Sequence, residues 1–244
     1  MVKEELIQRS PVRIFMNSIS GGLKPGELGA IASPSGIGKT SVLVQIALDK
    51  LLQGGKVIHI SFTQHTDYVL AWYEDIFDEF IKKKNLENAE DVKNEIVKNR
   101  VLMKFNQAGI SSDQILRSLR ALIKDGGFNA DVIIVDGFDF NSDAEDRVSV
   151  IKSFAAEMGI SVWYSCTVKD SEPSSGQLND DKNIYDQKRI PLVLGKVADL
   201  FAVIIVLEPS QDHIAFTVSR LRDSYSLEHL ALKLDPRTML ILEN

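Results

Sequence analysis

Eight consecutive residues near the start of the chain combine two glycines with a lysine and a threonine. They read Ser33-Pro34-Ser35-Gly36-Ile37-Gly38-Lys39-Thr40, between an apolar run and a stretch with helical spacing. Glycines let a loop turn its backbone N–H groups towards an oxyanion, and the positive end of a helix dipole strengthens that field. The lysine can reach the outer phosphates of a nucleotide, and the threonine hydroxyl can bind Mg²⁺. The order of strand, glycine loop and helix therefore predicts a phosphate site.

The predicted nucleotide-binding residues all come from this loop and the first turn of the helix. They are Ser35, Gly36, Ile37, Gly38, Lys39, Thr40 and Ser41. Ser33 stands where the phosphate-loop pattern has its first glycine. We therefore expect the chain at Ser33 either to accommodate a Cβ atom or to distort.

A carboxylate at the end of a later apolar strand is the predicted partner of the loop. The run Asp131 to Asp136 is apolar between its ends, and folds with a phosphate loop hold an aspartate at the end of such a strand near Mg²⁺. We expect Thr40 to bind the metal directly and Asp136 to bind it through water. Asp139, close behind, is expected in a turn or a helix cap.

The elements that must position these residues follow from the hydrophobic pattern. Short runs rich in Val and Ile alternate with longer amphipathic stretches, which predicts an α/β fold with a mostly parallel sheet and helices on both faces. The expected strands are 28–32, 56–62, 101–105, 131–136, 160–166 and 201–207. The expected helices are one from Lys39, two within 67–99, and one capped by Ser111 that runs to about 124. Three β-like runs in 213–243 predict antiparallel strands at the sheet edge.

Composition places the chain among ordinary globular proteins. It has 244 residues, of which 44% are hydrophobic and 25% are charged, so fibrous, low-complexity and disulfide-rich classes are excluded. The formal charge of -6 argues against a protein that holds nucleic acid by bulk positive potential. We assign residues 1–18 to an N-terminal arm and 19–244 to a single domain.

Cysteine and hydropathy patterns suggest a compartment. Cys166 is the single cysteine, so no intrachain disulfide can form, and we expect it to be a small buried residue. We see neither the apolar segment of a signal peptide nor a membrane-spanning run, and we expect a cytoplasmic protein without a membrane partner. The four histidines lack metal-ligand spacing, and His59 is expected to pack inside a strand.

Taken in order, these motifs resemble the RecA/KaiC/DnaB-like P-loop ATPases, and KaiC-like ATPase domains most. The resemblance spans most of residues 18–225 and rests on the phosphate loop, Gly21-Gly22-Leu23-Lys24-Pro25-Gly26-Glu27-Leu28, Ile60-Ser61-Phe62, the strand before Asp136, Lys188-Arg189-Ile190-Pro191-Leu192 leading to Ala198-Asp199, and Val218-Ser219-Arg220-Leu221-Arg222-Asp223-Ser224. It implies a three-layer RecA-like fold that binds ATP with Mg²⁺.

The resemblance also implies one or two glutamates that activate the attacking water, and here the chain departs from the family. Thr63 and Gln64 stand at those positions. Gln64 is the candidate catalytic residue, because a glutamine can orient water without taking its proton, and His65 and Asp67 are weaker substitutes. General-base catalysis is worth about 10² to 10⁴ in rate. We therefore expect ATP binding with weak or absent hydrolysis, in a regulatory or assembly-linked role.

Other site residues are implied by the resemblance alone. Ser165 and Thr167 stand where the family places a polar sensor of the γ-phosphate. Arg220 and Arg222 match the basic positions that reach the γ-phosphate of a neighbouring subunit, and their spacing on a strand would place both on one face. The chain is therefore expected to assemble with itself in a ring or filament. The alternative for this arginine pair is a solvated edge strand.

Two other functions stay open. One is an active ATPase motor on DNA or protein. DNA is not favoured as a partner, because segment 168–191, where relatives touch DNA, has four basic residues against five acidic ones. The other is a non-enzymatic scaffold that binds a protein or peptide at its C-terminal sheet edge or at the 67–99 helices.

Overall fold

Nine strands of the described residues form one sheet in the computed structural model, which describes residues 10–63, 65–84, 90–140, 143–168, 184–225 and 227–244. The strands are β1 (Leu28–Ser33), β2 (Val57–Ser61), β3 (Arg100–Lys104), β4 (Val132–Asp136), β5 (Ser161–Thr167), β6 (Val203–Pro209), β7 (Ile214–Leu221), β8 (Glu228–Leu234) and β9 (Ile241–Glu243). Their order across the sheet is β3-β2-β4-β5-β1-β6-β7-β8-β9. Strands β1 to β6 pair in parallel, and β7 to β9 extend the sheet in antiparallel fashion.

Helices lie between the parallel strands and pack on both faces of the sheet. They are α1 (Pro11–Ser18), α2 (Lys39–Leu52), α3 (Thr66–Lys84), α4 (Glu90–Lys98), α5 (Ser112–Arg120) and α6 (Ala144–Met158). Two 3₁₀ segments, Gln107–Gly109 and Leu192–Leu200, complete the connections, and a π turn, Ala121–Asp125, continues α5.

The strands carry continuous apolar runs because the sheet is covered twice. In β4 the five residues are all buried, with Ile133 and Val135 in one hydrophobic cluster and Val132 and Ile134 in the other. Helices α1 to α4 contribute to the second of these clusters, and α5, α6 and the 192–200 segment to the first. Buried parallel sheets need this double cover, since side chains alternate between the faces.

The predicted α/β class is confirmed, with its mostly parallel sheet and its antiparallel C-terminal strands. The predicted cap at Ser111 is also present: its hydroxyl accepts a hydrogen bond from the N–H of Gln114, and the Gln114 side chain accepts one in return from the N–H of Ser111. The helix changes to a π turn after Arg120 instead of running evenly to 124.

The N-terminal helix α1 contributes to the core. Val12 and Phe15 are fully buried, and the ring of Phe15 lies 6.2 Å from Trp163 and 5.8 Å from Phe216, centroid to centroid. Burying an aromatic side chain of this kind stabilises a fold by about 1.5 to 3 kcal/mol. The described part of the predicted arm is therefore a helix that packs on one face of the sheet.

The polar segment 168–191 is described at its two ends only. Residues 169–183 lie outside the described ranges. Tyr185 and Ile190 are buried in a core cluster, and Tyr185 forms an isolated bridge with Pro191. Across the described ranges, no helix combines the length and the apolar character needed to cross a membrane.

Candidate functional site

The glycine loop, residues 33 to 38, joins the carboxyl end of β1 to the first turn of α2. Gly38 caps α2 with a φ of 105°, a region where a side chain is strained. A Cβ atom added at Gly38 would lie 2.5 Å from Cδ2 of Leu234, whose side chain is fully buried. Glycine is therefore required at position 38 both by conformation and by space.

Ser33 fits the start of the loop as a regular strand residue. It is fully buried and pairs with Thr167 of β5. Its hydroxyl donates to the carbonyl of Pro34 at 2.9 Å and lies 3.3 Å from Nζ of Lys39, which donates to it. The side chain of Ser33, which stands where the phosphate-loop pattern has its first glycine, is thus accommodated inside the sheet.

Lys39 folds its ammonium group back over the loop. Nζ donates to the carbonyl oxygens of Ser33 at 3.0 Å and of Pro34 at 2.8 Å. Lys39 is 8% exposed. This burial lowers the pKa of its ammonium group, and the nearby Asp136 carboxylate partly opposes that shift. A cation held beside loop amides at a helix N-terminus forms an anion-binding arrangement.

Thr40 and Asp136 meet beside the loop, as the sequence predicted for a metal site. The Thr40 hydroxyl donates to Oδ2 of Asp136 at 2.9 Å, and Asp136 is 4% exposed at the end of β4. Within the described ranges, there is no group of three or more His, Cys, Asp or Glu side chains that could hold a metal ion. One carboxylate and one hydroxyl do fit Mg²⁺, which takes few protein ligands and completes its shell with water and substrate phosphates.

Strand β5 lies between β1 and β4 and separates the glycine loop from Asp136. Neighbouring strands are about 4.8 Å apart, so the presence of β5 leaves a gap of about 10 Å between the carboxyl ends of β1 and β4. Ser165 and Thr167 lie on β5 at this gap. The Ser165 hydroxyl accepts a hydrogen bond of 2.8 Å from the N–H of Gly137, which fixes the chain just after Asp136.

A cavity of about 670 Å³ occupies this gap, a size typical of small-molecule sites. Its walls are Ser35, Gly36, Gly38, Lys39, Thr40, Ser41, Thr63, Trp72, Asp136, Gly137, Phe138, Asp139, Phe140, Ser165, Thr167 and Met239. Most of the predicted ligands are therefore brought together. Ile37 is absent from the walls and packs against the core.

Ser41 uses its hydroxyl to bind the backbone of the turn between β8 and β9. Oγ donates to the carbonyl of Met239 at 2.5 Å, and Nε2 of Gln45 donates to the same carbonyl at 2.9 Å. Gln45 also accepts from the N–H of Ile241 at 2.8 Å. The turn between β8 and β9 is thus tied to α2, and the Ser41 side chain serves that contact.

The positions predicted to activate water are only partly described. Gln64 lies outside the described residues. Thr63 lies on the cavity wall against Gly137, where an added Cβ atom would be 2.3 Å from the Thr63 hydroxyl. His65 and Asp67 form an exposed pair at 3.2 Å, and His65 lines a neighbouring depression with Tyr68 instead of the cavity itself.

Arg220 and Arg222 lie at the other end of the sheet from Lys39. Leu221, the last residue of β7, pairs with Val203 at the start of β6, whereas the glycine loop follows the far end of β1. A strand of six residues spans about 20 Å, so neither arginine reaches the cavity of its own chain. Arg222 follows the end of β7 and has a φ of 54°, so the spacing rule for one face of a strand does not apply to the pair.

Both arginines are engaged in ion pairs. Arg222 donates to both carboxylate oxygens of Glu27, at 2.9 and 3.1 Å, and Arg220 donates to Asp199 at 2.6 Å. The hydrogen bond from Arg220 lowers the pKa of Asp199. The hydroxyl of Tyr225 also accepts from Arg220, at 3.0 Å. Arg222 thus ties the end of β7 to the residue before β1, and Arg220 ties β7 to the 192–200 segment.

His59 and Cys166 are packed residues, as expected. His59 is 1% exposed, and its Nδ1 lies 3.2 Å from the hydroxyl of Tyr73. Burial lowers the pKa of His59 to about 4, which keeps the ring neutral. Burial also raises the pKa of the Cys166 thiol to about 12, so this cysteine is not a thiolate nucleophile at neutral pH.

The sequence predicted neither Asp139 as a wall of the cavity nor the contact of Gln107 with the backbone of Asp139. Nε2 of Gln107 donates to the carbonyl of Asp139 at 2.7 Å, and Oε1 accepts from its N–H at 2.8 Å. Asp139 was expected in a turn or cap, and it does follow β4, but it also lines the cavity. Residues 138–140 follow the end of β4, so the alternation of side chains along a strand gives no signal for the direction of Asp139. Nothing in the sequence pointed to Gln107.

Comparison with models of protein families gives no match to this chain, and comparison with curated proteins gives none either.

Proposed function

We propose that this protein binds ATP with Mg²⁺ in the cavity at the carboxyl end of β1 and hydrolyses it weakly or not at all. The observation that carries the proposal is that the buried Lys39 and the hydrogen bond between Thr40 and Asp136 lie beside the same glycine loop. Loop amides and Lys39 would hold the outer phosphates, and Thr40 and Asp136 would hold the metal. Mg²⁺ bound there supplies positive charge to the phosphate oxygens.

We place this site in a RecA-like arrangement of KaiC type, and the topology supports a ligand site at this edge of the sheet. In open α/β sheets, ligands bind beyond the carboxyl ends of strands where connections diverge to either side. The connection after β1 leads to β2 on one side, while β6 flanks β1 on the other. The cavity lies at this point, and the resemblance of the motifs agrees with it.

Weak turnover follows from the chemistry of the cavity walls. Thr63 is uncharged and cannot take a proton from water at neutral pH. Without an efficient base, ATP would be held for longer than in a motor. That suits a protein whose nucleotide state controls assembly or a partner.

A titration of the purified protein with ATP by calorimetry, with Mg²⁺ and then with EDTA, tests this function. We expect saturable binding that is tighter with Mg²⁺. The absence of any heat of binding in both buffers would contradict the proposal.

Self-assembly is the second part of the proposal, and it rests on the resemblance of Arg220 and Arg222 to basic positions that act on a neighbouring subunit. Because Arg220 and Arg222 lie at the end of the sheet opposite Lys39, they would serve the cavity of a neighbouring copy only. Reaching it requires Arg222 to exchange Glu27 for a phosphate. Sedimentation with Mg²⁺ and ATP is expected to show oligomers, and monomers alone would count against assembly.

A further inference from the structure

The glycine loop departs from the phosphate-loop pattern at Ser33, and the side chain of that residue touches the lysine of the site. Oγ of Ser33 accepts a hydrogen bond from Nζ of Lys39 at 3.3 Å. A glycine at this position has no side chain and could not make the contact. The contact is therefore a feature of this chain that the pattern does not include.

The glycine loop itself occupies the ammonium group of Lys39. An ammonium group has three N–H donors and no acceptor. Nζ donates to the carbonyl oxygens of Ser33 at 3.0 Å and of Pro34 at 2.8 Å, and to Oγ of Ser33 at 3.3 Å. A phosphate oxygen bound by Lys39 needs one of these donors, so one of the three contacts must be exchanged when a nucleotide binds.

The two carbonyl contacts of Lys39 are held by the backbone. The carbonyl of Ser33 also accepts from the N–H of Val168 at 3.0 Å, and Ser33 pairs in register with Thr167 of β5. The sheet therefore fixes the position of this oxygen. The carbonyl of Pro34 makes the shortest of the three contacts. These two oxygens direct Lys39 along the loop whether or not the Ser33 hydroxyl takes part.

The contact of Lys39 with the Ser33 hydroxyl is the one that can be exchanged. It is the longest of the three. Oγ of Ser33 also donates to the carbonyl of Pro34 at 2.9 Å, so the hydroxyl keeps this hydrogen bond when the lysine turns away. It loses the one that it accepts, and Ser33 is fully buried. A phosphate oxygen therefore competes with Ser33 for the third donor of Lys39.

We propose that the Ser33 hydroxyl competes with the outer phosphates for Lys39 and thereby lowers the affinity of the cavity for nucleotide. Ser33 is then a positioning residue that acts through Lys39, and the inference rests on the proposed ATP site. Without the hydroxyl, two carbonyls still direct Lys39, and its third donor is available to phosphate. The protein without nucleotide loses a contact of a charged group at the same time. Removing the hydroxyl therefore destabilises the nucleotide-free protein and strengthens binding.

Calorimetric titration of the full chain with Mg²⁺-ATP and with inorganic triphosphate tests this competition in wild type, Ser33→Ala and the control Ser219→Ala. Ser219 is also a fully buried serine, but it lies in β7 and does not line the cavity. We expect Ser33→Ala to bind both ligands about threefold to tenfold more tightly than wild type, the effect of one net hydrogen bond. Ser219→Ala should bind both as wild type does.

Ser33→Gly removes the same hydroxyl and restores the glycine of the pattern. It should show the same gain in affinity, so the result does not depend on the folding of one variant. In Lys39→Ala, which has no ammonium group, adding Ser33→Ala should leave the affinity for ATP unchanged.

Urea unfolding without nucleotide gives a second readout, which moves in the opposite direction. Ser33→Ala should be less stable than wild type although it binds ATP more tightly, whereas a variant with a damaged loop would lose both stability and affinity. Unchanged or weaker ATP binding by both Ser33 variants, or an equal gain in the Lys39→Ala background, would overturn the role of Ser33 and leave the ATP site standing. Wild type that fails to bind ATP would overturn both.

Discussion

The hydroxyl of Thr40 and the carboxylate of Asp136, 96 positions apart in the chain, form a hydrogen bond of 2.9 Å. Thr40 is in the first turn of α2, and Asp136 ends β4. Strand β5 lies between β4 and β1, the strand that precedes the glycine loop and α2. The contact brings the two predicted metal ligands together at the cavity that Lys39 also lines.

Asp136→Asn is expected to abolish the Mg²⁺ dependence of ATP binding. The amide oxygen can still accept from Thr40, so the fold is retained, but the charge that attracts the cation is lost. We expect ATP affinity with Mg²⁺ to fall by about tenfold, or about 1.4 kcal/mol, with little change in EDTA. Calorimetry in both buffers measures this. Equal Mg²⁺ dependence in the variant and wild type would show that Asp136 is not at the metal.

Gly38→Ala is expected to destabilise the protein more than Gly54→Ala. Both positions have positive φ, 105° and 83°, and each alanine pays for that strain, about 1 to 2 kcal/mol. Only position 38 adds a contact, 2.5 Å from Leu234, while position 54 has nothing within 4 Å. Urea unfolding of the two variants gives the difference. We expect Gly38→Ala to be less stable by at least about 1 kcal/mol, and equal losses would contradict the packing described at the glycine loop.

His59 is expected to make stability depend on pH. Its pKa in the folded state is about 4 because of burial, below the ordinary value of about 6.5. The unfolded chain therefore binds the proton more strongly, and the free energy of unfolding falls as pH drops from about 6.5 towards 4. In the described residues, Nε2 of His59 has no hydrogen-bond partner, and burial outweighs the attraction of the Asp136 carboxylate for a charged ring.

Urea unfolding at pH 7 and pH 5 of wild type and His59→Gln tests this dependence. The full loss attributable to His59 is of the order of 3 kcal/mol, most of it between these two values of pH. His59→Gln should lose less stability on acidification than wild type. An identical loss in His59→Gln would contradict the assignment.

The fold was largely predictable, because the sheet depends on local patterns. The run before Asp136 is apolar throughout, and a strand buried on both faces must be so. Ser111 with Gln114 is likewise a local signal for a helix start. The proximity of the glycine loop and Asp136 could be predicted because β1 leads into the loop, β4 ends at Asp136, and the two strands are parallel.

The support of Asp139 could not be predicted in the same way. Gln107 follows β3 and Asp139 follows β4, and these strands are separated by β2, so their contact depends on the lengths of two loops. The position of Arg222 could not be predicted either. The sequence pattern continues as a strand through Arg222, but β7 ends at Leu221. Contacts set by tertiary packing leave no periodic signal.

The most direct test of the account is ATP binding to Lys39→Ala, compared with wild type and with Lys50→Ala. Lys50 is in the last turn of the same helix and does not line the cavity, so it controls for the loss of a positive charge. A charged hydrogen bond contributes about 1.5 to 3 kcal/mol, so Lys39→Ala should weaken Mg²⁺-ATP binding by about 10- to 150-fold, while Lys50→Ala binds as wild type. Unchanged affinity in Lys39→Ala would contradict a phosphate site at the glycine loop.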